Sequence, residues 1–229
     1  MKPLTLARAR RWLLRAAFVL VLLPPALTLL YAWLPAQSTL MLARHVQGLW
    51  VDRKWQPLER ISPHLVRAVI TSEDSGFCSH GGVDWSALEV QIGVLSGGDN
   101  PRGASTLTMQ LAKNLFLWGG RSYVRKALEI PLAVMIDALL TKRRIAELYL
   151  NIAEWGEGIF GAEAAAQAWF GKSAADLSQT EAARLATALP NPLARNPAKP
   201  SRAHDRLART NMARVRVAGA IFDCVLAPR

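Results

Sequence analysis

The sequence predicts a mainly α-helical protein with one transmembrane helix at its N-terminus. Apolar residues recur with the period of a helix along most of the 229 residues, and no segment alternates as a half-buried strand does. Ser or Thr stands before most of these periodic segments, where it caps a helix. Residues 16–34 carry no charge and make about 28 Å of helix at 1.5 Å per residue, close to the roughly 30 Å of a bilayer core.

Basic residues precede the uncharged run, and no acidic residue lies among them. By the positive-inside rule we expect the N-terminus to stay in the cytoplasm and the rest of the chain to be exported. A cleaved signal peptide is the alternative, because it shares the basic start and the apolar run. The run is longer than a usual signal sequence and residues 34–36 make a poor cleavage site, so an uncleaved anchor is favoured. The basic residues are Lys2, Arg8, Arg10, Arg11 and Arg15.

These features divide the chain into four segments. A cytoplasmic basic tail (1–15) leads into the anchor (16–34), a connector (35–60) and an exported domain (61–229). The domain is expected to begin at Ser62-Pro63, because Ser is a favoured N-cap and Pro is favoured at the first helical position.

The net charge of +11 invites a nucleic-acid interpretation, but the distribution of charge argues against it. Residues 1–15 and 195–229 carry the whole excess, whereas residues 16–194 are neutral. Basic segments at both ends of an anchored chain suit the anionic headgroups of membrane lipids. No nucleic-acid-binding motif accompanies them, so no nucleic-acid partner is expected.

Cys78 and Cys224 are the only two cysteines. Export would permit a disulfide, but two thiols in a chain of this size do not make a disulfide framework. The sequence therefore favours Cys78 as a small buried apolar residue and leaves open whether the two sulfur atoms meet.

The first helix of the domain carries an apolar stripe between residues 65 and 70 and places Glu73 and Asp74 at its C-terminal end. Residues 93–103 are rich in Gly, Asp, Asn and Pro and predict a mobile loop. No strand is predicted. Six further helices are predicted: from Ser105-Thr106 to Leu117, from Ser122 through the apolar run Leu128–Leu140 with a kink at Pro131, from Lys142 to Asn151, an Ala-rich helix ending at Gly171, from the capping box at Ser178 to Leu189, and a basic helix from about Arg202.

The pair Glu73-Asp74 is the first chemical candidate. A carboxylate within hydrogen-bond reach can take the proton of a sugar hydroxyl as that oxygen attacks, and a partly apolar site near Phe77 would raise its pKa. An acidic pair at a helix end is also common as a plain turn or surface feature. For this pair alone the plain interpretation is favoured.

The helix after Ser105 is the second candidate. Thr106, Gln110 and Lys113 share one of its faces, and the free N–H groups at its start attract anions. An amphipathic helix with a solvated polar face explains the same spacing equally well. Its opposite face carries Leu107, Leu111 and Leu115, which are predicted to face the core.

Cationic residues follow directly after this helix in the sequence. Arg121, Arg125 and Lys126 surround Glu129, and with Lys113 they would suit a diphosphate leaving group. Arg125 and Glu129 could equally be a weak surface ion pair. Glu129 could help to hold a divalent cation between phosphates. His80 has no partner at metal-ligand spacing, so it is expected to be a hydrogen-bonded structural residue.

Five short motifs follow one another between residues 73 and 171. They read Glu73-Asp74-x-x-Phe77-x-x-His80-x-Gly82-x-Asp84, Gly103-Ala104-Ser105-Thr106-Leu107-Thr108-Met109-Gln110, Arg125-Lys126-x-x-Glu129, Lys142-x-x-Ile145-x-Glu147-x-Tyr149-Leu150-Asn151, and Gly158-Ile159-Phe160-Gly161 with Ala164-Ala165-Ala166 and Trp169-Phe170. In this order they resemble the family 51 glycosyltransferases of bacterial cell-wall synthesis, the transglycosylase domain type of class A penicillin-binding proteins. Met109, where the family usually has Gln, and Ala146, where it usually has Leu, are mild departures. No Ser-x-x-Lys or Lys-Thr-Gly motif appears, so the resemblance is to the monofunctional members.

The resemblance implies a lysozyme-like bilobal helical fold and a peptidoglycan glycosyltransferase. It implies that Glu73 deprotonates the 4-hydroxyl of lipid II, which attacks the anomeric carbon of a glycan held as undecaprenyl diphosphate and inverts the α-linkage to β-1,4. Glu129, the second catalytic residue, would position the diphosphate directly or through Mg²⁺ or Mn²⁺, although no metal is obligatory. The implied substrate-binding residues are Asp74, Phe77, His80, Ser105, Thr106, Gln110, Lys113, Asn114, Arg121, Arg125 and Lys126.

The resemblance also implies a location and partners. The domain would lie in the periplasm, held by a single pass in the inner membrane. Its partners would be lipid II, the growing glycan, inner-membrane lipids, and cell-division and penicillin-binding proteins. We expect the apolar segment 88–95 to lie against the lipid surface, so the paired change Val94→Asp and Leu95→Asp should slow lipid II turnover.

Two rival functions remain open at this point. A wall-cleaving enzyme of the lysozyme or lytic-transglycosylase type would use Glu73 as a general acid but has no use for a cationic cluster. A non-catalytic scaffold of the division machinery would keep the fold but not need the carboxylates. Formation of polymer from purified lipid II would distinguish a glycosyltransferase from the wall-cleaving enzyme. Retained function after Glu73→Gln would support the scaffold.

Overall fold

The computed structural model describes residues 6–97, 103, 105–120 and 122–227. Helices dominate these ranges, so the predicted mainly α fold is confirmed. The α-helices are α1 (Leu6–Tyr31), α2 (Thr39–Val46), α3 (Pro63–Glu73), α4 (Trp85–Ser96), α5 (Leu107–Phe116), α6 (Tyr123–Leu139), α7 (Lys142–Ile152), α8 (Ala162–Phe170), α9 (Gln179–Ala188), α10 (Arg202–Val217) and α11 (Asp223–Leu226).

The predicted capping residues start their helices. Ser178 and Glu181 form the expected capping box of α9. The hydroxyls of Ser62, Thr106 and Ser122 accept hydrogen bonds from backbone N–H groups in the first turns of α3, α5 and α6. Local sequence therefore determines where these helices begin.

The prediction that the chain has no strand was wrong. Three short strands, β1 (Asp52–Arg53), β2 (Glu154–Gly156) and β3 (Ile159–Phe160), form a sheet in the order β1-β3-β2. β1 runs parallel to β3, and β2 runs antiparallel to it. Strands of two or three residues are too short to show an alternating pattern, which explains why the sequence does not reveal them.

The segment 35–60, predicted as a connector, is folded into the domain. It holds α2, which Ser38 caps, and β1. Ala36, Met41 and Leu58 are buried in the same apolar core as the helices that follow. The chain is thus tightly attached to the domain from the point where it leaves α1.

Two groups of helices make up the core. α3 packs against α9 and α10, and α5 packs against α6 and α7. The predicted core-facing residues Leu107, Leu111 and Leu115 of α5 are all buried. The groups meet where the C-terminal end of α3 reaches the start of α5, an arrangement consistent with the predicted bilobal, lysozyme-like fold.

Helix α1 is the predicted membrane anchor. Among the described residues it is the one helix long and apolar enough to span a bilayer, with a mean hydropathy of 2.1. Only 6% of that span is buried within the protein. An apolar helix exposed to this extent needs an apolar surrounding, which a bilayer provides.

Cys78 is not the isolated buried filler that the sequence favoured, because it forms a disulfide with Cys224. The two residues are 146 positions apart in the sequence, with Cα atoms separated by 5.7 Å. Sequence spacing alone gives no information on such a contact. The bond ties the loop that follows Glu73 to α11.

Removing this disulfide should destabilise the domain. Because the bond closes a long loop, the double variant Cys78→Ser/Cys224→Ser should lose about 2–4 kcal/mol of unfolding free energy. Urea unfolding of the detergent-solubilised protein measures the change. Reductant should lower the stability of the wild type and leave the variant unchanged; equal stability of wild type and variant would contradict the expectation.

Candidate active site

Glu73 is the last residue of α3, and its carboxylate meets the polar face of α5. Gln110 Nε2 donates to Glu73 Oε2 over 3.1 Å, and Ser72 Oγ donates to Oε1 over 3.2 Å. Burial raises the pKa of Glu73 above its ordinary value, while these hydrogen bonds and the charge of Arg195 lower it in part. A carboxylate tuned in this way is suited to accept a proton near neutral pH.

Asp74 has a different role from its neighbour. It is buried, and its Oδ2 accepts a hydrogen bond from the backbone N–H of Leu107 over 2.9 Å. Its two carboxylate oxygens lie 2.9 and 3.1 Å from His80 Nε2. Asp74 therefore joins the end of α3 to the start of α5, and it fixes the position of Glu73.

Phe77 and His80 pack against each other beside Asp74. Phe77 is fully buried, with its ring centroid 6.4 Å from that of His80 in an edge-on contact. Lys142 Nζ lies 4.7 Å from the Phe77 centroid and donates to the His80 carbonyl over 2.6 Å. His80 is hydrogen-bonded, as the sequence led us to expect, and Phe77 does not line either of the two cavities that contain Glu73 and Lys113. The substrate-binding roles of both residues stay predictions.

Thr106 is also buried at the start of α5. Its Oγ1 donates to the Gly82 carbonyl over 2.6 Å and accepts from the Met109 N–H over 3.1 Å. Gly82 has φ of 85°, and a Cβ there would lie 2.5 Å from the carbonyl oxygen of Ala133 in α6. Only glycine fits this close approach, which fixes the loop after His80 between α5 and α6.

Gln110 links the carboxylate to the core. Its Oε1 accepts a hydrogen bond from the Tyr149 hydroxyl over 2.9 Å, so its amide N–H group is the end directed at Glu73. Tyr149 is buried, and this burial raises its pKa well above the ordinary value. The phenol therefore keeps its proton and holds the Gln110 amide in one orientation.

Lys113 lies one turn beyond Gln110 on the same face of α5. Burial lowers its pKa, while the negative charge of Glu129 acts in the opposite direction. Within the described part of the chain, the side-chain ammonium of Lys113 forms neither a hydrogen bond nor an ion pair. A desolvated cation with no protein partner is suited to bind an anionic ligand.

Glu129 is buried in α6 between two cations. Arg125 Nη1 donates to its Oε1, and Lys126 Nζ donates to its Oε2 over 3.0 Å. Lys126 Nζ also donates to Ser105 Oγ over 2.6 Å. The alternative of a weak surface pair does not apply, because the Arg125 and Glu129 side chains are only 12% and 4% exposed.

The metal role that the resemblance allowed for Glu129 stays a prediction. Both of its oxygens already accept hydrogen bonds from Arg125 and Lys126. Over the described ranges, no group of three or more His, Cys, Asp or Glu side chains could hold a metal ion. The arrangement indicates that Glu129 orients the two cations.

Residues of this site line two cavities. One of about 300 Å³ is lined by Glu73, Ser105 and Arg214, among others. The other, of about 240 Å³, is lined by Lys113 and Asn114. A larger cavity of about 700 Å³ at the opposite end of α3 contains none of the predicted site residues, so volume is a poor guide to the chemistry here.

Besides Ser72, three residues at the site were not predicted from the sequence. Tyr149 stands in the fourth motif, which could have pointed to it, whereas Arg195 and Arg214 follow the last motif and carry no local signal. They approach the site because α9 and α10 pack against α3. Arg121, which was predicted to bind the diphosphate, lies outside the described residues.

Gln110→Leu should shift the pH dependence of the reaction. The amide hydrogen bond lowers the pKa of Glu73, so its loss raises that pKa further. Because only the ionised carboxylate accepts a proton, the acid limb of kcat/KM should move to higher pH.

The shift is measured from the pH profile of glycan formation. Tyr149→Phe should give a smaller shift in the same direction, because it frees the Gln110 amide to rotate. Gln47→Leu, at an exposed position after α2, is the matched control and should leave the profile unchanged. An acid limb that stays in place or moves to lower pH in Gln110→Leu would contradict this role of the amide.

The family model described as Transglycosylase matches residues 41–216. This range includes every described residue of the site and leaves out α1. The match therefore covers most of the chain.

Curated relatives match over nearly the full length. The biosynthetic peptidoglycan transglycosylase of Brucella suis biovar 1 is 51% identical over 214 residues, which cover 93% of this chain and 96% of the relative. Proteins with the same name from Agrobacterium fabrum and Rhodospirillum centenum are 51% and 55% identical, covering 90% and 80% of this chain and 92% and 80% of the relatives. The chain therefore belongs to the transglycosylase family, as its five motifs predicted.

Proposed function

We propose that this chain is a peptidoglycan glycosyltransferase that polymerises lipid II into β-1,4-linked glycan strands and releases undecaprenyl diphosphate. Family membership and the names of the relatives support this function. The observation that carries it is the link through Gln110 between the partly buried carboxylate of Glu73 and a helical face that also bears Lys113, a desolvated cation whose ammonium has no partner among the described residues.

The roles follow from the chemistry of the transfer. Glu73 takes the proton of the 4-hydroxyl of lipid II as that oxygen bonds to the anomeric carbon of the growing glycan. The bond from that carbon to the diphosphate breaks, and negative charge develops on the leaving group. Lys113 and Arg125 stabilise this charge, and Glu129 fixes the orientation of Arg125 and Lys126.

The remaining predicted residues complete the binding site in this proposal. Ser105 and Asn114 hold the sugar-phosphate, Ser105 from the Glu73 cavity and Asn114 from the Lys113 cavity. Arg121 contributes a further cation to the diphosphate. Asp74 and Thr106 fix the start of α5, from which the phosphate contacts are made.

The location of the site supports an isoprenoid-linked substrate. α1 holds the chain in the inner membrane with the N-terminus in the cytoplasm and the domain in the periplasm. The disulfide between Cys78 and Cys224 agrees with an exported, oxidising environment. Both substrates carry long isoprenoid tails, so the anchored enzyme meets them in the plane of the bilayer at high local concentration.

Incubation of the purified full-length chain with lipid II tests this function. Glycan polymer and undecaprenyl diphosphate should form together in detergent or vesicles. A wall-cleaving enzyme would leave lipid II unchanged and would shorten isolated glycan strands. That result would overturn the proposal.

A further inference from the structure

The end of α1 is held by two arginine side chains of the domain. Arg144 Nε donates to the Tyr31 carbonyl over 2.8 Å, and its Nη2 donates to the Leu34 carbonyl over 2.7 Å. Arg53 Nη1 donates to the Ala36 carbonyl. Tyr31 is the last residue of α1, so its carbonyl has no intrahelical partner, and Leu34 and Ala36 lie in the segment that follows the helix. Cations also interact favourably with the negative end of the helix dipole.

An aromatic side chain holds the two arginines in place. The Trp55 ring centroid lies 5.5 Å from Arg53 Cζ and 5.4 Å from Arg144 Cζ, so one indole contacts both guanidinium groups. Glu147 accepts a further hydrogen bond from Arg144 Nη1. The Arg144 side chain is only 16% exposed, so these contacts are shielded from water.

The segment that carries Trp55 is itself attached to α7. Asn151 Oδ1 accepts from the Gln56 N–H over 2.8 Å, and Asn151 Nδ2 donates to the Gln56 carbonyl over 2.8 Å. Asn151 is fully buried. This paired contact leaves the strand β1 and Trp55 little freedom to move relative to α7.

Helix α7 connects the same contacts to the catalytic carboxylate. Arg144 lies about 7.5 Å along the helix axis from Tyr149, at 1.5 Å per residue. Tyr149 bonds to Gln110, which bonds to Glu73. Helix α7 therefore connects the C-terminal end of α1 to Tyr149 and Gln110, which orient the proposed base Glu73.

We propose that Arg53, Trp55 and Arg144 form a clamp that fixes α1 against α7 and thereby sets the height of Glu73 above the bilayer surface. This inference rests on the proposed function. The isoprenoid tail holds the diphosphate of lipid II at the headgroup level. An active site held at a fixed distance from the bilayer surface lies at the level of that diphosphate. A loosely tethered domain would spend much of its time at other distances. The three residues are positioning residues that do not touch the substrate.

The double variant Arg53→Gln/Arg144→Gln tests the clamp in vesicles that contain the full chain. Turnover of lipid II with its undecaprenyl chain in the same vesicles should fall at least tenfold. Turnover of a water-soluble lipid II analogue with a short isoprenoid chain should change less than twofold, because that substrate reaches the site at any height. Trp55→Phe, which keeps an apolar ring packed against the core, should show the same difference to a lesser degree.

Arg143→Gln is the matched control on the same helix, since Arg143 bonds to Glu59 and to the Val225 carbonyl and not to α1. It should leave both rates near those of the wild type. An equal loss on both substrates, or no loss on either, in the double variant would overturn the clamp. A wild type that polymerises neither substrate would instead refute the proposed function.

Discussion

Glu73→Gln should lower kcat for glycan polymerisation by about 10²- to 10⁴-fold, the range typical of a lost general base. Glutamine keeps the size of the side chain and its hydrogen-bonding capacity toward Ser72, but it does not accept the proton of the attacking hydroxyl. Substrate binding should persist, so KM should change little. Steady-state kinetics with labelled lipid II measure both constants.

The stability of this variant distinguishes lost chemistry from lost folding. The folded-state pKa of Glu73 is raised by burial, so ionisation costs stability as the pH rises from its ordinary value through the raised one. A neutral glutamine does not carry that cost above this window. The melting temperature at neutral pH should therefore equal or exceed that of the wild type.

The exposed Glu157 provides the matched control, and Glu157→Gln should leave the rate unchanged. A Glu73→Gln variant that polymerises lipid II at the wild-type rate would show that another group accepts the proton.

Lys113→Met should cost about 10²- to 10³-fold in kcat/KM, the magnitude of a lost electrostatic contact to a charge that develops in the transition state. Methionine retains the length and volume of the aliphatic stem. The wild-type ammonium is desolvated and has no protein partner among the described residues, so its removal leaves no carboxylate unpaired. The folded protein should be at least as stable as the wild type.

The loss in Lys113→Met should appear in both donor affinity and kcat. Binding of an undecaprenyl diphosphate analogue measures the first, and single-turnover kinetics measure the second. Lys199→Met changes an exposed lysine and is the control. An unchanged affinity for the diphosphate would place the leaving group elsewhere.

Features that depend on local sequence were predicted well. The capping hydroxyls at Ser62, Thr106, Ser122 and Ser178 and the apolar periodicity of α5 act within a few residues of one another, so a single chain displays them. The anchor was visible for the same reason, because a bilayer requires one continuous apolar run.

Features that depend on contacts between distant parts of the sequence were not predicted. The bond between Cys78 and Cys224 and the approach of Arg195 and Arg214 to Glu73 depend on how α10 and α11 return to α3, which no local pattern records. The short strands and the helix α2 are too small to show a period.

In the candidate site, too, features set by local sequence were predicted and features set by distant contacts were not. Spacing placed Gln110 and Lys113 on one helical face, and the structure agrees. Spacing could not show that Asp74 accepts from the Leu107 N–H while Glu73 accepts from the Gln110 amide, because that difference depends on where α3 ends relative to α5. Two adjacent carboxylates thus acquire different roles from tertiary packing alone.

The central claim is that Glu73 and Lys113 act on one transition state, and a double-mutant cycle tests it most directly. Residues that act together give losses that do not multiply. The account predicts that Glu73→Gln/Lys113→Met polymerises lipid II about as slowly as the slower single variant. A double variant whose loss equals the product of the two single losses would contradict it.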